Sequence, residues 1–146
     1  MDLTTSYPRS VKDKIAGVVM LARTTDKAKA HLDGSLGEYH YNCPMDKAVF
    51  AFLGIDSEAY LAKIGAAADD AEIEAYAREF AAKKTQAEID EWNAQFLNYA
   101  PEAGSDGEKY FLQLRSEVAP DRTDVVAWAD LLDLDEKRQV PHRVAA

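Results

Sequence analysis

Apolar positions three and four residues apart recur along most of this chain, and short polar caps interrupt them at intervals. Ser10 with Asp13 opens the first such stretch, after the extended Tyr7-Pro8. Ile15, Val18, Val19 and Ala22 follow at helical spacing and lead through Asp26, Lys27 and Ala28 to Leu32. Gly17 and the Thr24-Thr25 pair weaken the middle, so the stretch also reads as two shorter helices. Asp33-Gly34 ends it. Residues 35–43 read as an extended loop, and a short helix from Pro44 to Leu53 stops at Gly54. Asp56 caps a helix with Tyr60, Leu61 and Ile64, which Gly65 helps to end. Asp69 with Glu72 and Thr85 with Glu88 each form a capping-box pattern, before Ile73, Tyr76, Phe80 and before Ile89, Trp92, Phe96. Ser105 with Glu108 opens a helix bearing Phe111, Leu112, Leu114 and Val118. After Pro120-Asp121, Thr123 starts a last one with Val125, Trp128, Leu131 and Leu132.

No run alternates as a strand would, so the fold class is all-α: one compact domain of six or seven short helices over residues 1–138, with a loosely packed polar tail at 139–146. Ala71-Glu72-Ile73 to Phe80 echoes Ala87-Glu88-Ile89 to Phe96 sixteen residues later, and more weakly Val125-Val126-Ala127-Trp128. That spacing is too short for the usual helix-pair repeats. The echo is what capped amphipathic helices share, and its aromatics read as core.

Composition narrows the class of protein. Hydrophobic residues at 47% and charged residues at 29% describe a globular chain rather than a disordered one. A single cysteine excludes an internal disulfide framework and suits a reducing cytosol. The longest apolar run, Ile15 to Ala22, is too short to span a bilayer, and the first residues lack a secretory pattern, so a cytoplasmic protein without a membrane partner is expected. The net charge of −9 argues against nucleic acid as a partner. Charge is unevenly spread, with seven Lys/Arg against six Asp/Glu in residues 1–50 and ten against twenty in the rest. The near-neutral first third, with Arg9, Lys12, Lys14, Arg23, Lys27 and Lys29, has room for a small anion site.

Chemically capable side chains crowd into Leu36 to Asp46: Glu38, Tyr39, His40, Tyr41, Cys43 and Asp46. A helix beginning at Pro44 makes Cys43 its N-cap, Pro44 its first residue and Asp46 its third. The free N–H groups and the positive dipole end there favour a thiolate, whereas the Asp46 carboxylate opposes one. The segment therefore reads either as a reactive thiol or anion-binding helix end, or as a buried cysteine beside a structural cap. His31, Glu38, His40 and Cys43 contain one His-x-x-Cys pair and no second one, too few for a metal site, and no cofactor motif appears. Cys43 as nucleophile with His40 or Tyr41 moving the proton requires contacts that spacing does not define.

Arg23, Asp26 and Lys27 form the second cluster, sharing one helix face. They suit an Arg/Lys clamp on a carboxylate or phosphate, oriented by Asp26. They equally suit an exposed salt-bridged surface or, with Asp46, a fully paired buried network.

Tyr7-Pro8-Arg9-Ser10, Leu21-x-Arg23 with Asp26-Lys27-Ala28-x-Ala30, Leu36-Gly37-Glu38-Tyr39 and Cys43-Pro44-Met45-Asp46 together resemble a family of short bacterial proteins. So do Phe52-Leu53-Gly54-Ile55-Asp56, Glu91-Trp92-Asn93 and Trp128-x-x-Leu131-Leu132-Asp133-Leu134-Asp135-Glu136. That family is the domain of unknown function 5069, and the likeness runs in order over nearly the whole chain. The resemblance implies a single-domain bacterial protein and carries no activity, substrate or cofactor. Val11 follows Ser10 where the family pattern tends to have proline.

The expectation for function is a domain that binds a small molecule or anion near the Glu38–Asp46 loop. Arg23 and Lys27 hold the anionic group, oriented by Asp26; Tyr39 and Tyr41 wall the site, Glu38 is one of its binding residues, and Cys43 with Asp46 sits at the helix start. Two alternatives are an enzyme using the Cys43 thiol, and an adaptor docking through the acidic later helices.

Overall fold

The computed structural model describes residues 1–142; the last four residues of the expected tail, 143–146, lie outside the described residues. Among them are seven helices and one two-stranded hairpin, so the fold is all-α. The helices are α1 (Leu21–Asp33), α2 (Pro44–Leu53), α3 (Ser57–Ala66), α4 (Asp70–Ala81), α5 (Gln86–Leu97), α6 (Asp106–Val118) and α7 (Trp128–Asp135). Residues 1–93 pack as one compact unit and the residues from 94 onward as another.

The caps behave as their chemistry requires. Asp56, Asp69 and Ser105 accept the backbone N–H three residues on, at the starts of α3, α4 and α6. Thr85 and Glu88 exchange reciprocal bonds of 3.0 and 3.1 Å at the start of α5. Gly34 and Gly54 end α1 and α2 in the left-handed conformation.

Two expectations are corrected. The first helix does not begin near Ser10. Lys14–Ile15 (β1) and Val18–Val19 (β2) pair antiparallel, with Lys14 opposite Val19 and Ile15 opposite Val18. The loop residues Ala16 and Gly17 both have positive φ, 54° and 78°, the pattern of the two-residue hairpin turn whose twist matches its strands. β-branched Ile15, Val18 and Val19 suit the strand form, and Gly17 takes the left-handed step of the turn without a steric penalty. Their three- and four-residue spacing merely mimics a helix.

The last helix also starts later than Thr123. Residues 119–125 are closed by turn bonds, Arg122 N–H to the Ala119 carbonyl and Val125 N–H to the Arg122 carbonyl. Arg115 Nη1 holds the Val125 carbonyl at 2.8 Å, so helix begins only at Trp128.

α1 is the centre of the first unit. Nine of its residues are buried, including Arg23, Thr24, Thr25, Asp26 and Lys27, because the hairpin, α2 and α3 all pack against it. A helix enclosed this way takes its polar residues inside, and each then needs a partner. Around it the rings of Tyr41, Phe50, Tyr60, Tyr76 and Phe80 follow one another with centroids 5.2–6.2 Å apart. Buried Asn93 of α5 braces the hairpin: Val19 N–H donates to its Oδ1 at 3.1 Å, and its Nδ2 donates to the Gly17 carbonyl at 2.9 Å. In the second unit Phe111, Val125 and Leu131 form the core under Leu114, Trp128 and Leu134. Val140 is buried and its carbonyl accepts from Arg122 at 2.9 Å, so the chain is held in place at least this far.

Candidate functional site

The polar side chains of α1 lead to two neighbouring arrangements. On one side, Lys27 meets the start of α2. Its Nζ lies 2.7 Å from Asp46 Oδ2 and donates to Cys43 Sγ at 3.2 Å. Thr24 donates to Asp46 Oδ1 at 2.6 Å, and Cys43 N–H donates to Asp46 Oδ2 at 3.1 Å. Cys43 is the N-cap, Pro44 the first helical residue and Asp46 the third, with Sγ accepting the Asp46 N–H to complete a capping box. The Asp46 carboxylate is thus fully enclosed and met by an ammonium, a hydroxyl and a backbone N–H. Asn42, at φ 64°, supplies the left-handed step that brings the loop into this cap.

On the other side, Asp26 is held by Arg9. Arg9 N–H and Nε donate to Oδ2 at 2.8 and 3.1 Å, and Nη2 donates to Oδ1 at 3.1 Å. Burial works against the Arg9 charge, but the bond to Asp26 and its charge outweigh it and raise the pKa. Buried Arg23 donates to the Arg9 carbonyl at 3.2 Å and lies 5.5 Å over the Tyr39 ring. Arg23, Asp26 and Lys27 are thus an internal network rather than an exposed face, and Lys27 is engaged by Asp46.

The loop residues part company. Tyr39 lies beneath Arg23. Tyr41 donates to the Ser57 carbonyl at 2.7 Å and packs against His31, 5.7 Å between centroids. Burial raises the Tyr41 pKa, and the Asp46 charge adds to it. Glu38 and His40 are exposed. Neither is brought to Cys43 by a hydrogen bond, and no group of three or more His, Cys, Asp or Glu among the described residues is placed to hold a metal ion.

A cavity of about 280 Å³ opens beyond Arg9, away from the Glu38–Asp46 loop. Arg9, Lys14, Ile15, Thr25, Asp70, Ala71, Ile73 and Glu74 line it. Ile15 and Ile73 form its apolar floor. Thr25 spends its proton on the Leu21 carbonyl and accepts from Tyr60 at 2.7 Å. Asp70 Oδ1 takes Lys29 at 2.5 Å, a bond that holds its carboxyl below the ordinary value. Glu74 accepts the Ala16 N–H at 3.1 and 3.2 Å and pairs with Arg78. Lys14 Nζ and Arg9 Nη1 have no partner among the described residues.

The sequence reading did not assign this cavity. Tyr7-Pro8-Arg9-Ser10 was one signal of it, and the cations of the first third were another. The placing of Lys14 beside α4 depends on the hairpin, which the spacing concealed.

Fold and site together define a small helical protein built around a buried ion-pair network, with a mixed-charge cavity beside it. The chain belongs to the family described as domain of unknown function 5069, whose model matches residues 5–138. No curated protein matches the chain. No helix among the described residues is long and apolar enough to cross a membrane.

Proposed function

We propose that this protein binds a small organic anion in the cavity between the hairpin, α1 and α4. The observation that carries the reading is the pair of unengaged cationic donors, Lys14 Nζ and Arg9 Nη1, at the rim of a space of about 280 Å³ with an apolar floor. Arg9 is preorganised because Asp26 fixes the other edge of its guanidinium. The anion site thereby moves from Arg23 and Lys27 to Arg9 and Lys14. Thermal shift against inorganic phosphate and a panel of small carboxylates tests it. A ligand at a hundred times its Kd adds about 2.7 kcal/mol and raises the melting temperature by several degrees. The shift is lost in Lys14→Ala. No shift with any anion, or an unchanged shift in Lys14→Ala, overturns the reading.

A second reading rests on the half-buried Cys43, whose sulfur receives both the Lys27 ammonium and the Asp46 N–H. An ammonium and a backbone N–H set against one sulfur suit a nucleophilic thiol, and the chemistry is then that of a thiol enzyme. Iodoacetamide reacts with the native thiol and more slowly with Lys27→Met. A thiol inert in the folded protein from pH 5 to 9 removes this reading. One unpaired cysteine is in keeping with a reducing cytosol.

A further inference from the structure

We infer that the cavity takes a zwitterion, an aliphatic α-amino acid, with its carboxylate on Lys14 and Arg9 and its ammonium on Asp70. The inference rests on the anion-binding reading and adds the second half of the ligand.

Charge balance is the first ground. The cavity wall carries two cations, Arg9 and Lys14, and two carboxylates, Asp70 and Glu74. Three of the four are already matched, Arg9 by Asp26, Asp70 by Lys29 and Glu74 by Arg78. A simple anion seated there gains Lys14 and Arg9 but shares the cavity with the carboxylates of Asp70 and Glu74. A ligand with both signs meets both signs of the wall and brings no net charge.

Unfilled hydrogen-bond capacity is the second. Among the described residues Arg9 Nη1 and the Lys14 ammonium donate to no protein group, and Asp70 Oδ2 accepts from none, its other oxygen being taken by Lys29. An ammonium requires an acceptor, and a carboxylate requires donors. These groups all line the same cavity.

Size and floor select the side chain. A volume of about 280 Å³ corresponds to roughly nine water-sized shares of about 30 Å³ each, on the order of nine non-hydrogen atoms. Ile15 and Ile73 offer apolar surface and no further polar group. A branched aliphatic side chain suits that floor.

Calorimetry and thermal shift on the full chain test the inference with matched probes: the aliphatic amino acids from alanine to leucine, the carboxylic acids lacking the amine, and 3-methylbutylamine, which lacks the carboxylate. Leucine or a smaller homologue binds at least tenfold more tightly than its matched acid, and the amine alone does not bind. Asp70→Asn erases that preference while the acid still binds, and Lys14→Ala weakens both. Because Asp70 pairs with Lys29 at the surface, the ligand-free melting temperature of Asp70→Asn stays close to that of the wild type and shows the fold intact. Equal binding of amino acid and acid, or a preference that survives Asp70→Asn, overturns the zwitterion and leaves the anion reading standing. Silence from every amino acid and every anion overturns both.

Discussion

Lys27 Nζ and Asp46 Oδ2 lie 2.7 Å apart with both side chains almost wholly withdrawn from solvent. The contact joins the middle of α1 to the first turn of α2, and Thr24 and the Cys43 N–H share the same carboxylate. Removing one partner of such a pair strands the other charge in a low-dielectric site. Lys27→Met is expected to cost about 3–5 kcal/mol in urea unfolding. Adding Asp46→Asn to it recovers part of the loss, because the amide oxygen still takes the Thr24 hydroxyl. A loss below about 1 kcal/mol in the single variant means that water reaches Asp46.

The cap at Cys43 makes a separate demand. Its sulfur accepts the Asp46 N–H, a role that a serine hydroxyl fills at least as well. Cys43→Ser is expected to keep stability within about 0.5 kcal/mol, and Cys43→Ala to lose about 1 kcal/mol. Equal stability of the two variants, measured by chemical unfolding, means that the Asp46 side chain alone sustains the helix start.

The helix starts at Pro44, Ser57, Asp70, Gln86 and Asp106 were legible because each follows a residue whose own side chain or ring fixes the boundary locally. Cys43 as N-cap with Asp46 at the third position was legible for the same reason. The hairpin was not. Ile15, Val18 and Val19 satisfy a helical spacing, and what selects the strand is Asn93, seventy-odd residues away, bonding Val19 N–H and the Gly17 carbonyl. The fate of Arg23, Asp26 and Lys27 was also hidden. Spacing places them on one face of a helix but does not say that the face is interior, nor that Arg9 rather than Arg23 holds Asp26. The cavity inherits that difficulty, since its walls come from three stretches of chain that only the hairpin and α4 bring together.

The hairpin turn separates backbone strain from crowding. Gly17 sits at φ 78° with nothing within 4 Å of where a Cβ would stand. Gly17→Ala is therefore expected to cost about 1 kcal/mol from the left-handed backbone alone. Ala16→Gly, at φ 54°, relieves the same strain and gains about 0.5 kcal/mol. Unfolding free energies of the two variants with the same sign contradict the turn geometry.

Asn93→Ala tests how the hairpin is braced. The substitution removes both bonds and leaves the Val19 N–H and the Gly17 carbonyl without that partner. A loss of about 2–3 kcal/mol is expected, with amide exchange at Val19 accelerated well beyond that of α2. Exchange that rises equally in both places means that the hairpin opens only with the whole unit.

Tyr60 gives the fold an alkaline limit. Burial pushes its phenol from 10.0 up to about 12, while its hydroxyl donates to Thr25, whose own proton is spent on the Leu21 carbonyl. Below pH 10 the phenol is neutral in both folded and unfolded chains, and its contribution is fully present. Between pH 10 and about 12 the unfolded chain ionises first, so folding must take up a proton and stability falls. Two pH units amount to roughly 3 kcal/mol over that window. Tyr60→Phe loses about 1 kcal/mol at neutral pH with the hydroxyl bond. It then declines less steeply above pH 10, with Tyr41, raised in the same direction, still contributing. Lysine titration is common to both proteins and cancels in the difference of their urea midpoints from pH 8 to 11.5. A constant difference across that range means that Tyr60 ionises in the folded protein as freely as in the unfolded one, and that the Thr25 contact does not exclude water.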